Sequence, residues 1–344
     1  MVLPRCLQAL IPIAVLIILN VLAVVPPVTA QDEPQLKVAA SITPFGALVN
    51  EVGGSRVQTT VLLPEGVEPH AFTATPQIIE AAQQADLLVL TGHFAWETDV
   101  ANQTDTPFIT LADYEEYGAA LSVFPGREDT SQKNPHGYWL LPNNAIAIAN
   151  ATRAALSEMK PDDAAYWNTR FESFVDRVES LNASIAVADE DYQLDSLRAV
   201  AVFPAEAYIA EAFGISVEAV LQEGENVFIS GSRLVEVQNG LRNGTIDIIL
   251  GSDVGNLQAG GQFAEQLAED TGSRIVWWRA VFTGQADYVS LMSFDLGVLV
   301  ESLRGEVSAS TEGVTTLVLV IISSLLGLVA VVEGVLLIQR AMEE

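Results

Sequence analysis

The sequence predicts an α/β protein: two doubly wound α/β lobes joined by a long rigid helix, followed by a C-terminal transmembrane helix. Three features point there. Short apolar runs alternate with helix-period segments in two separate stretches, the pattern of parallel sheets covered by helices. A helical zone broken only by Pro161 lies between those stretches, and a long apolar run sits near each end of the chain.

Residues 1–30 read as a secretory signal peptide: Arg5, an apolar stretch from Leu7 to Val25, then "PPVTA" ending on small Ala30. The mature chain is expected to start at Gln31. The only cysteine, Cys6, falls inside this leader, so the mature chain has no thiol for a disulfide, a zinc ribbon or thiol catalysis. At the other end, "VTTLVLVIISSLLGLVAVV" (Val314 to Val332) is long enough, at about 1.5 Å rise per residue, to nearly span a hydrocarbon core of about 30 Å. It is expected to act as a single-pass membrane anchor (314–338), with 306–313 as tether and 339–344 as cytoplasmic tail. The body is then extracytoplasmic.

The N-terminal lobe (31–160) opens with the strand "LKVAASI", a helix "PFGALVNEVGG" stopped by Gly-Gly, and the strand "VQTTVLL". A helix "TPQIIEAAQQA" begins at Thr75-Pro76 and leads into the buried strand "DLLVLTG". The stretch from Phe124 to Pro142 reads as polar and mobile. The connecting helix (161–192) carries Tyr166, Phe171, Phe174, Val178 and Leu181 at spacings of three to five. A helix of about 27 residues would span roughly 40 Å, the size of a domain. The C-terminal lobe (193–305) repeats the alternation: strands "AVAVF", "SVEAVL", "DIILGS" and "RIVWW" are separated by helical segments, and "DYVSLMSFDLGVLVESLRG" closes it.

A formal net charge of -28 argues against nucleic acid or anionic lipid as partner and is compatible with a cation, or with surface acid that serves solubility alone. No His-Glu-x-x-His, Gly-x-Ser-x-Gly, Walker loop or strand-following Gly-x-Gly-x-x-Gly occurs. The chain is therefore not read as an enzyme.

The chain has three histidines. His70 in "EPHAFTATP" and His136 in "NPHGYWLLPNNA" each follow a proline, which fixes its own backbone angle and restricts its predecessor. A stiff mount suits metal ligation, because Zn–N bonds of about 2.0–2.1 Å tolerate little error. His70 follows "VQTTVLL" and His93 follows "DLLVLTG", so both fall at carboxyl ends of strands on one rim of the sheet, where open α/β sheets gather ligands.

The run "VAASITPFGALVNEVGGSRVQTTVLLPEGVEPHAFTATPQIIEAAQQADLLVLTG" resembles the N-terminal lobe of the zinc and manganese solute-binding proteins of bacterial ABC importers, and the resemblance extends from about Leu36 to Arg304. It implies that His70, in "PHAFTATP", is the first metal ligand and His136, in "NPHGYWLLPNNAIAIA", the second. Asn134 stands where that family usually has Asp. For the third and fourth ligands the matching positions are Phe203 and, on or near "RIVWWRAVF", Arg279. Substitutes are available: Glu206 three residues past Phe203, Asp253 at the end of "DIILGSD", and His93 on the rim with His70. Two histidines with one or two carboxylates would make a mixed N/O site that suits zinc or manganese. Glu206 also reads as an acid favoured near a helix N-terminus, and Asp253 as a turn residue.

The resemblance thus implies an extracytoplasmic solute-binding protein in which His70, His136, Glu206 and His93 hold zinc or manganese as transported ligand for delivery to an ABC permease. Because imidazole must be neutral to ligate, capture is expected to weaken as pH falls. Three other readings stay open. They are a degenerate homologue that binds an anionic solute through Arg279, a secreted metal-dependent hydrolase with Glu206 as base, and a cell-adhesion ectodomain.

Overall fold

The computed structural model describes residues 36–304 apart from 128, 225–226, 257 and 281–286. The leader at 1–30 and the apolar run Val314–Val332, with its tether and tail, lie outside the described residues. Among the described residues no helix is long and apolar enough to cross a membrane.

β1 (Leu36–Ala40) is flanked by β2 (Val57–Val61) and β3 (Leu87–Val89), and β4 (Phe108–Ile109) completes a parallel sheet of order β2-β1-β3-β4. Val38, Ala39 and Ala40 are almost wholly buried, as expected of a central parallel strand covered on both faces. After β1 the chain steps outward to β2 and then returns to the other side for β3. That reversal is a topological switch point, and the loops leaving its strands open onto a shared crevice. The second sheet has order β10-β9-β5-β6, with β5 (Arg198–Ala201), β6 (Ser216–Val220), β9 (Ile248–Ser252) and β10 (Arg274–Trp278) all parallel. Its switch point lies between β5 and β9. A small antiparallel hairpin, β7 (Gln222–Gly224) and β8 (Val227–Phe228), is appended to it.

The helices of the first half are α1 (Thr43–Gly53), α2 (Pro76–Gln83), α3 (Ala95–Gln103), α4 (Leu111–Glu116) and α5 (Pro142–Met159). α1 starts with a proline in its first turn and stops at Gly54, whose φ of 52° suits a residue without Cβ. A Cβ there would come 2.3 Å from the Tyr166 hydroxyl. α6 (Ala164–Tyr192) runs 29 residues, about 43 Å at 1.5 Å per residue. Trp167, Phe174, Val178, Leu181, Ile185 and Ala188 form its buried stripe, at the three-to-four spacing of one helix face. It packs on α1 and α5, and Arg177 pairs with the buried Glu51 of α1. The second half adds α7 (Glu206–Ala212), α8 (Gly231–Asn243), α9 (Asp253–Asn256), α10 (Ala259–Thr271) and α11 (Tyr288–Leu303).

A single large core includes residues of both sheets, from Leu36 through Phe174 and Trp278 to Leu299, and a smaller one lies around Val200, Ile249 and Leu267. Hydrogen bonds cross between the halves as well: the Tyr288 hydroxyl donates to Leu140 O at 2.7 Å and that of Tyr208 to Asn134 O at 2.5 Å.

Two features depart from the sequence-based expectation. The segment 95–116, which carries α3, β4 and α4, gave no readable pattern, because β4 has two residues and polar-looking α3 hides buried Trp96, Glu97 and Val100. The stretch Phe124–Pro142, expected to be polar and mobile, ends in a buried turn: Tyr138, Trp139 and Leu140 are all within the core.

Candidate metal centre

Each histidine is presented by a loop whose own backbone is tied down. After β2, Gly66 turns the chain at φ 75°, and the Glu68 carboxylate accepts from Ala71 N at 2.6 Å, so the turn closes around His70. After β3, the Thr91–Phe94 segment is gathered by Glu97 in the first turn of α3. That buried carboxylate accepts from Thr91 N (2.8 Å), Thr91 Oγ1 (2.7 Å), His93 N (3.1 Å) and Phe94 N (3.1 Å). Before α5, His136 N donates to Asn134 Oδ1 at 3.0 Å, while Asn134 Nδ2 donates across to Pro204 O at 2.8 Å. The Tyr138 hydroxyl donates to Thr91 O at 2.9 Å and so links the His136 loop to the His93 loop.

These mounts bring the three rings together. Ring centroids lie 5.0 Å apart for His70 and His93, 4.5 Å for His93 and His136, and 5.2 Å for His70 and His136. One nitrogen from each ring can be chosen so that all lie within 4.8 Å of one another. His70 is exposed; His93 and His136 are half-buried. His93 Nε2 and His136 Nδ1 are buried without a hydrogen-bond partner, at a cost of about 1–3 kcal/mol each that a bound cation would offset. Burial first, then the neighbouring rings His136 and His70, lowers the pKa of His93 to about 3. Burial, then His70, lowers that of His136 to about 4. Both rings are neutral at pH 7, the form that ligates a metal.

Glu206, expected from the sequence as a further ligand, is not among the residues that converge here. It is fully buried, accepts from Phe203 N at 2.7 Å and from Ser252 Oγ at 2.5 Å, and burial raises its pKa to about 8. Both of its oxygens are thus engaged by donors of the second half of the chain, and neither is among the atoms that converge with the histidine nitrogens. Asp253 Oδ1 accepts from Ala280 N at 3.0 Å. The Arg279 guanidinium stacks over the Phe294 ring on α11, 4.2 Å from its centroid. Two residues that shape this region gave no functional signal in the sequence, Glu97, the clamp of the His93 loop, and Asp295; Asn134, the tie to the second half, stood out there only as a departure from the resembled pattern. Asp295 is fully buried in α11, accepts from Arg279 N at 2.8 Å and has its pKa raised to about 8 by burial. An aspartate on an otherwise apolar helix face is the one trace it leaves in the sequence.

With the geometry in hand, comparison with known proteins decides the family. The profile described as ZnuA, zinc-uptake complex component A, periplasmic, matches residues 38–302. The chain belongs to that family. Among curated relatives, the metal ABC transporter substrate-binding lipoprotein SsaB of Streptococcus sanguinis is 24% identical over 163 residues, 44% of this chain and 51% of its own length. The manganese-binding lipoprotein MntA of Halalkalibacterium halodurans is 25% identical over 189 residues, 54% of this chain and 60% of its own length. In these alignments the ZnuA-family chain spans little more than half of the curated relatives it matches. Solved structures show the fold. The manganese-bound periplasmic metal-binding protein of Candidatus Liberibacter asiaticus superposes with a TM-score of 0.63 at 22% identity, covering 78% of this chain and 99% of that one. A mutant of the laminin-binding adhesin Lmb of Streptococcus agalactiae gives 0.66 at 20% identity with the same coverage.

Proposed function

We propose that this ZnuA-family chain is an extracytoplasmic solute-binding protein that captures a divalent cation, zinc or manganese, and delivers it to an ABC permease. The observation that carries the reading is the convergence of His70, His93 and His136, with two buried ring nitrogens, on His93 and His136, that have no other partner. The ion is cargo, so no bond is broken: the imidazoles bind it, and the loaded protein docks on its permease. The names of the relatives, substrate-binding lipoproteins of metal ABC transporters, support the same context. We leave Glu206 out of the donor set, since its carboxyl serves Phe203 N and Ser252 Oγ. The same engagement disfavours Glu206 as a hydrolytic base, and the stacking of Arg279 on Phe294 disfavours it as an anion contact.

The apolar run Val314–Val332 would tether the body to the membrane beside the permease and raise its effective concentration there. The working division of the chain is then two lobes, 31–160 and 193–305, linked by the helix at 161–192.

Isothermal titration of the purified full-length chain with zinc and with manganese tests the capture function. Binding of a single ion, lost in the double variant His70→Ala/His136→Ala, is the expected outcome. Absence of heat with either metal, together with no rise in melting temperature, would remove the function. At a free metal concentration of 100 times Kd the expected stabilisation is about 2.7 kcal/mol.

A further inference from the structure

The capture function proposed above leaves the choice between zinc and manganese open, and the inference drawn here rests on it. We propose that His93 is the specificity-determining residue of the site, supplying a third imidazole from the first half of the chain so that the donor set holds zinc and rejects manganese.

Among the described residues, the group able to share one ion contains three histidines and no carboxylate. On the His70 loop the Glu68 carboxylate accepts from Ala71 N, and four acids on neighbouring elements are engaged by other donors. Glu97 takes four donors from the Thr91–Phe94 segment, Glu206 serves Phe203 N and Ser252 Oγ, Asp253 accepts from Ala280 N, and Asp295 accepts from Arg279 N. Among the described residues, the atoms that converge on such an ion are ring nitrogens, with no carboxylate oxygen in the group.

That donor set discriminates. Manganese is the weakest binder of the divalent first-row series and prefers carboxylate, carbonyl and water, whereas imidazole suits zinc and its later neighbours. Three nitrogens and one open position also meet zinc's preference for four ligands. Tetrahedral zinc with bonds near 2.1 Å needs nitrogens about 3.4 Å apart, so a set already within 4.8 Å requires only a modest contraction. His93 and His136 are held by Glu97 and Asn134, and His70, exposed on its loop, has room to close on them. His93 is the member that changes the chemistry. With His70 and His136 alone, water or a mobile carboxylate would complete the shell, and manganese would compete.

The test is metal competition on the full-length chain, with wild type, His93→Ala, His93→Gln and His93→Asp compared. Wild type is expected to prefer zinc over manganese by on the order of a thousandfold. His93→Ala and His93→Gln should each weaken zinc by about 100-fold, and His93→Asp should move the ratio toward manganese by at least about tenfold, since an oxygen anion replaces a neutral nitrogen. Cobalt supplies a readout that a merely structural role would not move: the intense visible bands of four-coordinate cobalt should be present in wild type and lost in His93→Gln. Comparable zinc and manganese affinities in wild type, or unchanged zinc affinity and cobalt spectrum in His93→Gln, would overturn the role of His93 while leaving capture intact. Failure of wild type to bind either metal would instead defeat the capture function, and this inference with it.

Discussion

Asn134 illustrates how much one side chain decides. Its Oδ1 accepts from His136 N while its Nδ2 donates to Pro204 O, so a single amide aims the imidazole and ties its loop to the start of α7. An aspartate here could make the first bond but not the second, and would set a negative charge against a carbonyl. Asn134→Asp is therefore expected to cost about 1–3 kcal/mol of unfolding free energy and to weaken zinc binding, read by denaturant unfolding and calorimetry. Gly137 makes a similar point through space. At φ 81°, a Cβ would stand 2.9 Å from Ala205 Cα, so Gly137→Ala should push the His136 loop off its support and reduce metal affinity more than it lowers the melting temperature.

At the scale of elements, the sheets and α6 do the positioning. Because β2 and β3 lie on opposite sides of β1, the loops after them leave the sheet at its switch point, and His70 meets His93 there. α6 holds that sheet against the rest of the molecule through its buried stripe. Phe174 is fully buried in it and lies edge-on to Tyr288 of α11 at 6.1 Å. Phe174→Ala should cost about 3–5 kcal/mol in denaturant unfolding. It touches no histidine of the site, so zinc affinity of the folded variant should be unchanged; a large loss of affinity would show that the two halves are coupled through this helix. The predicted connector was legible because apolar residues recur along it every three or four positions. Its buried anchor is Trp167 rather than the neighbouring Tyr166, since a one-residue rotation of the stripe is set by what α1 and α5 present to it.

For the whole molecule, the buried titratable groups set opposing pH limits. His93 and His136 titrate at about 3 and about 4 in the folded chain against 6.5 for a free ring, so the unfolded chain takes up protons first as pH falls. Their contribution to stability is present above pH 6.5 and lost progressively below it. Glu206 and Asp295 titrate at about 8 against 4.5 and 3.8, so their contribution is fully present below pH 3.8 and is lost progressively from there until pH reaches about 8. The contribution of these four groups to the stability of the metal-free chain should therefore peak between pH 4.5 and 6.5. Calorimetric melts across pH 3–9 check this, and the alkaline decline should flatten in the Glu206→Gln/Asp295→Asn variant.

What the sequence determined by itself was what a few neighbouring residues can encode: the alternation that makes two parallel sheets, the long amphipathic helix, the stiff proline mounts of His70 and His136, and the strand ends that set His70 and His93 on one rim. Short elements such as β4 escaped it, because two residues carry no period. Only the tertiary structure decided which side chains meet. It brought the His136 ring up to the rim pair His70 and His93, turned Glu206 inward onto Ser252, and laid Arg279 over Phe294. Those outcomes depend on strand order and on contacts between residues tens of positions apart, and local periodicity holds no record of either.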